Sequence, residues 1–291
     1  MDSALTKNAD HFGGLMRPKF FYLGLLWFAC LLACSIINLL YFPHTTIFPD
    51  EQRFLASAAR LASSGEFWVS GDRAWEMPGP ALFFTPMVWL FGADAAILPI
   101  RTAQSVLLVI QSALVALTAQ RIFGKSIVAY IAAGLVAFYP FFLFYQGLLL
   151  SETLFITLLL AAIAALYCWR DRGLQIDLPL IVTCLLFAAA TLTKATLTIL
   201  PPLLSAATAW AAGAHLRRTF VILITASCFY SGFMSPWWIR NGILLGSFVP
   251  FTTSSAMNLY LGNNPHNPNA GIDWATDLDP AVMARISALP K

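Results

Sequence analysis

The sequence predicts an all-α, polytopic membrane protein with about seven transmembrane helices and an amphipathic interfacial helix in its first outer loop. Three observations predict it. Of 291 residues, 59% are hydrophobic and 11% charged, whereas a soluble domain carries about 25% charge. Several apolar runs reach the roughly 20 residues that a helix needs to cross a bilayer. The remaining charges gather between these runs, with acids and bases biased to opposite sides.

The first expected span is 20–42. Arg17 and Lys19 precede it, as they would precede a secretory signal. The run exceeds the roughly 7–15 residues of a signal core, and no clear small-residue cleavage site follows it, so it reads as a retained span. The other expected spans are 97–119, 126–145, 151–169, 178–194, 195–212 and 219–238. The stretch 178–212 is too long for one simple span, and it contains Lys194 and the pair Pro201-Pro202. Proline removes a backbone donor, so a tight helical hairpin turning near Lys194 is expected.

Charge supports that division. With seven spans and a cytoplasmic N-terminus, Lys7, Arg17, Lys19, Arg121, Lys125, Arg170, Arg172, Arg217 and Arg218 all fall inside. Their loops are short, where the positive-inside rule has force. Ten of the fourteen acids then fall outside: Asp50, Glu51, Glu66, Asp72, Glu76, Asp94, Glu152, Asp273, Asp277 and Asp279. Acids do not set topology, so their gathering on one face asks for a chemical reason.

The chain divides into a transmembrane domain, 1–240, whose outer loop 44–96 carries the acidic motif, and an extracytoplasmic segment, 241–291, rich in Gly, Asn, Pro and Ser. Within the loop, "ALFFTPMVWLFG" (81–92) is too short to span and predicts an interfacial or re-entrant helix. Cys30, Cys34, Cys168, Cys184 and Cys228 lie in apolar runs without C-x-x-C spacing, so they read as packing residues. The net charge of +3 is spread out, without the basic patch that nucleic acid needs. No P-loop, dinucleotide fingerprint or nucleophile elbow occurs. The scattered histidines put only His44 and His266 on the acidic side, each a weak metal candidate alone.

The candidate residues lie on the outer face. In "PDEQRFLASAARLASSG" (49–65), Pro49 suits a first helical turn, Asp50 and Glu51 favour its positive end, and Gly65 suits the stop. Asp50, Arg53, Ser57, Arg60 and Ser64 form a stripe expected to face water, opposite Phe54, Leu55, Ala58, Leu61 and Ala62. Two readings stay open: the acids cap the helix, or they belong to a site. Glu76 is either a solvated loop acid or a site residue. Glu152 is either an ordinary helix start or a site carboxylate at the hydrocarbon edge, where an unpartnered charge is costly. Arg101, Lys194 and Arg240 either snorkel to headgroups or hold a phosphate, and Trp237 and Trp238 suit an interfacial belt.

These motifs resemble the GT-C-fold membrane glycosyltransferases, nearest to bacterial homologues of protein O-mannosyltransferase and to aminoarabinose transferase. The resemblance runs through "PDEQRFLASAARLASSGEFW", "WEMPGPALFFTPMVWLFG", "YPFFLFYQGLLLSETLFITLLL", "LTKATLTILPP", "PWWIRN" and "SSAMNLYLGNNP", over about residues 20–272. It implies a GT-C-like fold in a bacterial cytoplasmic membrane, with the active face extracytoplasmic. It also implies transfer of a sugar from a polyprenyl-phosphate carrier to a lipid, glycan or protein acceptor. Asp50 matches the general base and Glu76 the acid that helps bind a divalent metal in the aminoarabinose transferases. Glu152 matches the acid at the outer end of the fourth span, and Lys194, Arg240 and Arg101 become the candidate carrier-phosphate contacts. Glu51 keeps no role beyond the helix dipole and local charge. Met77 stands where the aminoarabinose transferases place a phosphate-contacting lysine.

Family members usually continue with more spans, so the resemblance also implies a C-terminally truncated member. Two other functions remain: a transporter or flippase of a lipid-linked substrate, which would need ionisable or broken-helix sites near mid-membrane, and a non-catalytic fragment that binds carrier lipid or a partner subunit.

Overall fold

The computed structural model describes residues 17–42, 44–68 and 73–255, together with 259 and 263. His11, Lys7, Asp72, His266, Asp273, Asp277 and Asp279 lie outside the described residues, as does most of "SSAMNLYLGNNP". The described residues form helices joined by turns, with no strand among them.

Helix α1 (Arg17–Leu40) matches the first expected span. Helix α2 (Pro49–Ser64) is the amphipathic element, and α3 (Gly79–Phe91) the short apolar one. Then come α4 (Ile97–Phe123), α5 (Ser126–Ala137), α6 (Pro140–Tyr145), α7 (Glu152–Asp171), α8 (Leu178–Thr193), α9 (Leu200–Ala211) and α10 (Leu216–Leu245). By length and composition, α1, α4, α7 and α10 can cross a membrane.

The other three expected spans take a different form. The run 126–145 splits because Pro140 cannot continue a helix, and Tyr139 before it is extended, at φ −67° and ψ 122°. Helix α8 stops at Thr193, and Lys194 is extended, at φ −150° and ψ 119°. The expected turn is therefore present, and Pro201-Pro202 falls in the first turn of α9. The pair runs antiparallel: Leu197 joins Phe187 and Ala190 in one apolar cluster, whereas Ala209 joins Leu180 and Cys184 in another. At about 1.5 Å per residue, neither α8 nor α9 reaches the length of a full crossing.

Helices meet through small residues. Ala162, Ala188, Ala190, Ala226 and Ala133 are all buried, which suits membrane packing, where close backbone approach replaces the hydrophobic drive. Cys30 and Cys34 pack α1 against Leu108 and Ala137, and the Cys30 thiol donates to the Ala137 carbonyl at 3.3 Å. The outer flanks carry exposed Leu25, Phe28, Leu32, Ile36 and Leu39 on α1, and Ile127, Ile131 and Leu135 on α5. Such continuous apolar surface suits lipid and penalises water.

Most polar groups inside the bundle are hydrogen-bonded to protein partners, since hydrocarbon offers none. Ser105 donates to Gln146 Oε1 at 2.7 Å, and Asn38 Nδ2 reaches both at 3.3 Å. Gln111 Nε2 bonds the Thr153 carbonyl at 2.9 Å and the Thr157 hydroxyl at 3.0 Å. These bonds tie α1, α4, the turn after α6, and α7.

The two ends of the bundle differ. The starts of α4 and α7 and the ends of α1, α8 and α10 lie together with α2 and α3 at an acidic end. The opposite, basic end holds Arg121, Arg170, Asp171 and Arg218.

Candidate functional site at the acidic end

The site begins with the start of α2. Phe48 is extended, Pro49 supplies a preset helical φ, and Asp50 and Glu51 follow in the first turn. The apolar face of α2 does not lie on lipid alone. Ala58 is buried with Phe84, Val88, Ile97, Ile100 and Leu149, and Phe54 and Leu55 pack on that cluster. The expected water-facing stripe is corrected accordingly. Ser57 is buried at the floor of a groove beside Trp68, and its hydroxyl donates to the Arg53 carbonyl at 2.8 Å. Gly65 ends the helix in the left-handed region, at φ 72°.

Asp50 is exposed, with its side chain 56% accessible. Its Oδ1 accepts from Arg53 Nη2 at 2.6 Å, and Arg53 Nε donates to Glu76 Oε1 at 2.9 Å. One guanidinium therefore stands between two carboxylates. The Glu76 side chain is 14% accessible, and its Oε2 is buried with no hydrogen-bond partner among the described residues. Burial pushes the Glu76 carboxyl above its ordinary range, against the Arg53 bond and charge, and the Asp50 charge adds to the rise.

Glu51 and Arg101 are turned inward. Glu51 is fully buried, and its Oε1 accepts from the Ile47 and Phe48 amides, both at 2.9 Å. Its Oε2 accepts from the Leu149 amide at 3.0 Å. Arg101 is 1% exposed; its Nε donates to the Gly147 carbonyl at 2.7 Å and its Nη2 to the Thr45 carbonyl at 3.2 Å. Sequence reasoning missed this use of Glu51. The signal was a Glu at the third helical position, which reaches back to the preceding amide in half of a capping box.

Glu152 opens α7 and binds Lys194 Nζ at 2.9 Å, so those two expected residues are brought together. Arg240 bonds the carbonyls of Phe67 and Arg73 and packs over the Phe67 and Trp237 rings. Met77 is buried in the cluster that holds Tyr230, Met234 and Trp237. Trp237 is itself buried rather than placed in a lipid belt. Its Nε1 donates to Phe251 O at 2.9 Å, and Trp238 Nε1 donates to Pro250 O at 2.9 Å. Helix α10 runs past residue 240 to Leu245. The chain then folds back, and Thr253 and Ser254 bond Ala74 O and Trp75 O at 2.8 and 2.7 Å.

Two open grooves share Trp68. One, of about 390 Å³, runs along α2 past Pro49, Gln52, Arg53, Ser57 and Arg60. The Arg60 guanidinium lies over the Trp68 ring, 3.4 Å from its centroid. The other, of about 530 Å³, is lined by Glu66, Phe67, Trp68, Arg73, Arg240 and Leu244. Trp68 and Arg73 carried no role in the sequence analysis, and Arg60 only a place in the polar stripe, because only folding gathers them.

No three His, Cys, Asp or Glu side chains converge among the described residues. The space between Asp50 and Glu76 is held by the Arg53 cation.

Fold and site together define a multi-pass helical membrane protein with most of its described acids, and several bonded cations, gathered at one end. No family model, curated protein or solved structure matches the chain.

Proposed function

We propose that this chain is a glycosyltransferase of the bacterial cytoplasmic membrane. It moves a sugar from a polyprenyl-phosphate carrier to a lipid, glycan or protein acceptor at the extracytoplasmic face. One observation carries the reading: the exposed Asp50 carboxylate, fixed by Arg53, sits beside a groove at the acidic end of an apolar bundle. A lipid-borne donor and a water-borne acceptor would meet at such a boundary.

In this reading Asp50 takes the proton of the acceptor hydroxyl as its oxygen bonds the anomeric carbon. The bond from that carbon to the carrier phosphate breaks, and the phosphate leaves with the electron pair. Arg53 holds the Asp50 carboxylate in place through their 2.6 Å bond and offers its cation to the developing negative charge. Arg240 and Arg73, in the larger groove, suit the carrier phosphate. Lys194 reaches the same end already bound to Glu152. Arg101 spends its donors on buried carbonyls, so the proposal gives it a structural part. No step is routed through a metal.

The test is a deletion strain complemented with wild-type or Asp50→Asn protein, with envelope glycans and lipids compared by mass spectrometry. Transfer restored by wild type and absent with Asp50→Asn, at equal membrane levels, is the expected result. Restoration by both would sink the assignment.

A flippase of a lipid-linked substrate is the second reading. The helix breaks at Tyr139 and Lys194, and the buried Asn38–Ser105–Gln146 network, favour it. Translocation in proteoliposomes without sugar transfer would select it.

A further inference from the structure

Asp50 lies in the first turn of α2, so its position depends on how that helix start is anchored. The anchoring comes from two chain segments far apart in sequence, 44–48 and 147–149. The Glu51 anion takes backbone donors from both: Ile47 and Phe48 on one, Leu149 on the other. The Arg101 cation takes backbone acceptors from both: Thr45 on one, Gly147 on the other. Both side chains are buried, and the two charges attract each other. Phe42 completes the contact, because its ring lies 5.2 Å from the Arg101 guanidinium and packs onto Gly147. A Cβ at Gly147 would run into that ring. Leu149 precedes Glu152 by one short turn, so the same joint sets Asp50 against the Glu152–Lys194 pair.

We propose that Glu51 and Arg101 act as a paired positioning device, a buried strap of opposite charges that holds Asp50 in register with the start of α7. Glu51 touches no substrate in this scheme; it acts through the backbone that carries Asp50. Burial of two charges is costly unless each is hydrogen-bonded. Here each satisfies backbone groups that the two turns would otherwise leave unpaired. The catalytic consequence rests on the glycosyltransferase reading, but the strap does not.

The test has two arms on the full chain in detergent. The first is amide hydrogen exchange of segments 44–50 and 146–150. In Glu51→Gln, exchange at Ile47, Phe48 and Leu149 rises together by about tenfold or more. In Asp50→Asn it stays at the wild-type rate. The second arm is sugar transfer. Glu51→Gln lowers kcat by about 100-fold, the size of effect that a small misplacement produces. KM for the lipid donor changes by less than about threefold, and the pH profile keeps its acid limb.

If Glu51→Gln fails to accumulate, the double variant Glu51→Gln/Arg101→Gln carries the exchange arm, since it removes both buried charges. It is expected to accumulate better than Glu51→Gln and Arg101→Gln singly, and still to exchange fast in both segments. Unchanged exchange at Leu149, a KM rise without a kcat loss, or a double variant no better than the singles overturns the strap. Transfer retained by Asp50→Asn, with exchange altered only in the Glu51 variants, overturns the glycosyltransferase reading and leaves the strap standing.

Discussion

At the acidic end, Glu51 and Arg101 are buried and bond backbone groups on two segments far apart in the sequence. At the basic end, Arg170 pairs with its own neighbour Asp171 at 2.8 Å, with the two side chains 35% and 44% accessible. Arg121 reaches the same Asp171 at only 4.0 Å. The same residue types thus serve different purposes. Exposed local pairs are screened by water and add little to stability. Buried, bonded charges hold segments together and punish any change. Two glycines show a related contrast. Gly79 at the acidic end is required by close approach, since a Cβ there would lie 2.7 Å from the Thr193 Cα. Gly173 at the basic end has open space around it and is required by its backbone angle, φ 82°.

The sharpest break of this contrast is Asp50→Asn. It should lower transfer by at least about 100-fold, whereas Asp171→Asn at the opposite end should leave transfer near wild type. Complementation with both variants, read by envelope mass spectrometry, checks this.

Next is Gly79→Ala against Gly173→Ala. The first must push α3 away from the α8 backbone, at a cost of about 2–3 kcal/mol. The second pays only backbone strain, about 1 kcal/mol. Apparent melting in detergent ranks them, and equal shifts would dissolve the comparison.

A smaller effect follows from Glu76. Its folded-state pKa is raised above the ordinary 4.5, so the folded protein holds a proton that the unfolded chain releases. The stability from this group is full below 4.5 and is lost as pH rises through the raised value. Glu76→Gln should flatten that slope in melting scans at increasing pH.

The smallest effects belong to exposed pairs. Lys194→Ala breaks a pair whose side chains are 41% and 30% accessible, for less than about 1 kcal/mol. Arg170→Ala should cost about half of that or less. Both losses should shrink further in high salt.

Much of the fold was legible in residue patterns. Long uncharged runs marked α1, α4, α7 and α10, and Pro49 and Gly65 bracketed α2 within a residue. The break at Lys194 was visible because Pro201-Pro202 and one charge interrupt an apolar stretch. Pro140 carries the same message for 126–145, but the expected span ran through it, since the flanking residues are all apolar. For the site, sequence brought Asp50, Glu76 and Glu152 to one side of the membrane. It did not pair Arg53 with both Asp50 and Glu76, nor separate Glu51 from Asp50.

The sequence by itself determined that this protein is helical and built for a bilayer, and which of its ends is acidic. These follow from composition and from periodicity over neighbouring residues. Only the tertiary structure decided which charges are exposed and which are buried. Asp50 and Glu51 are adjacent in sequence, but one turns to solvent and the other binds Leu149, ninety-eight residues away. Burial depends on what packs against a side chain, and those partners come from distant segments that no local pattern specifies.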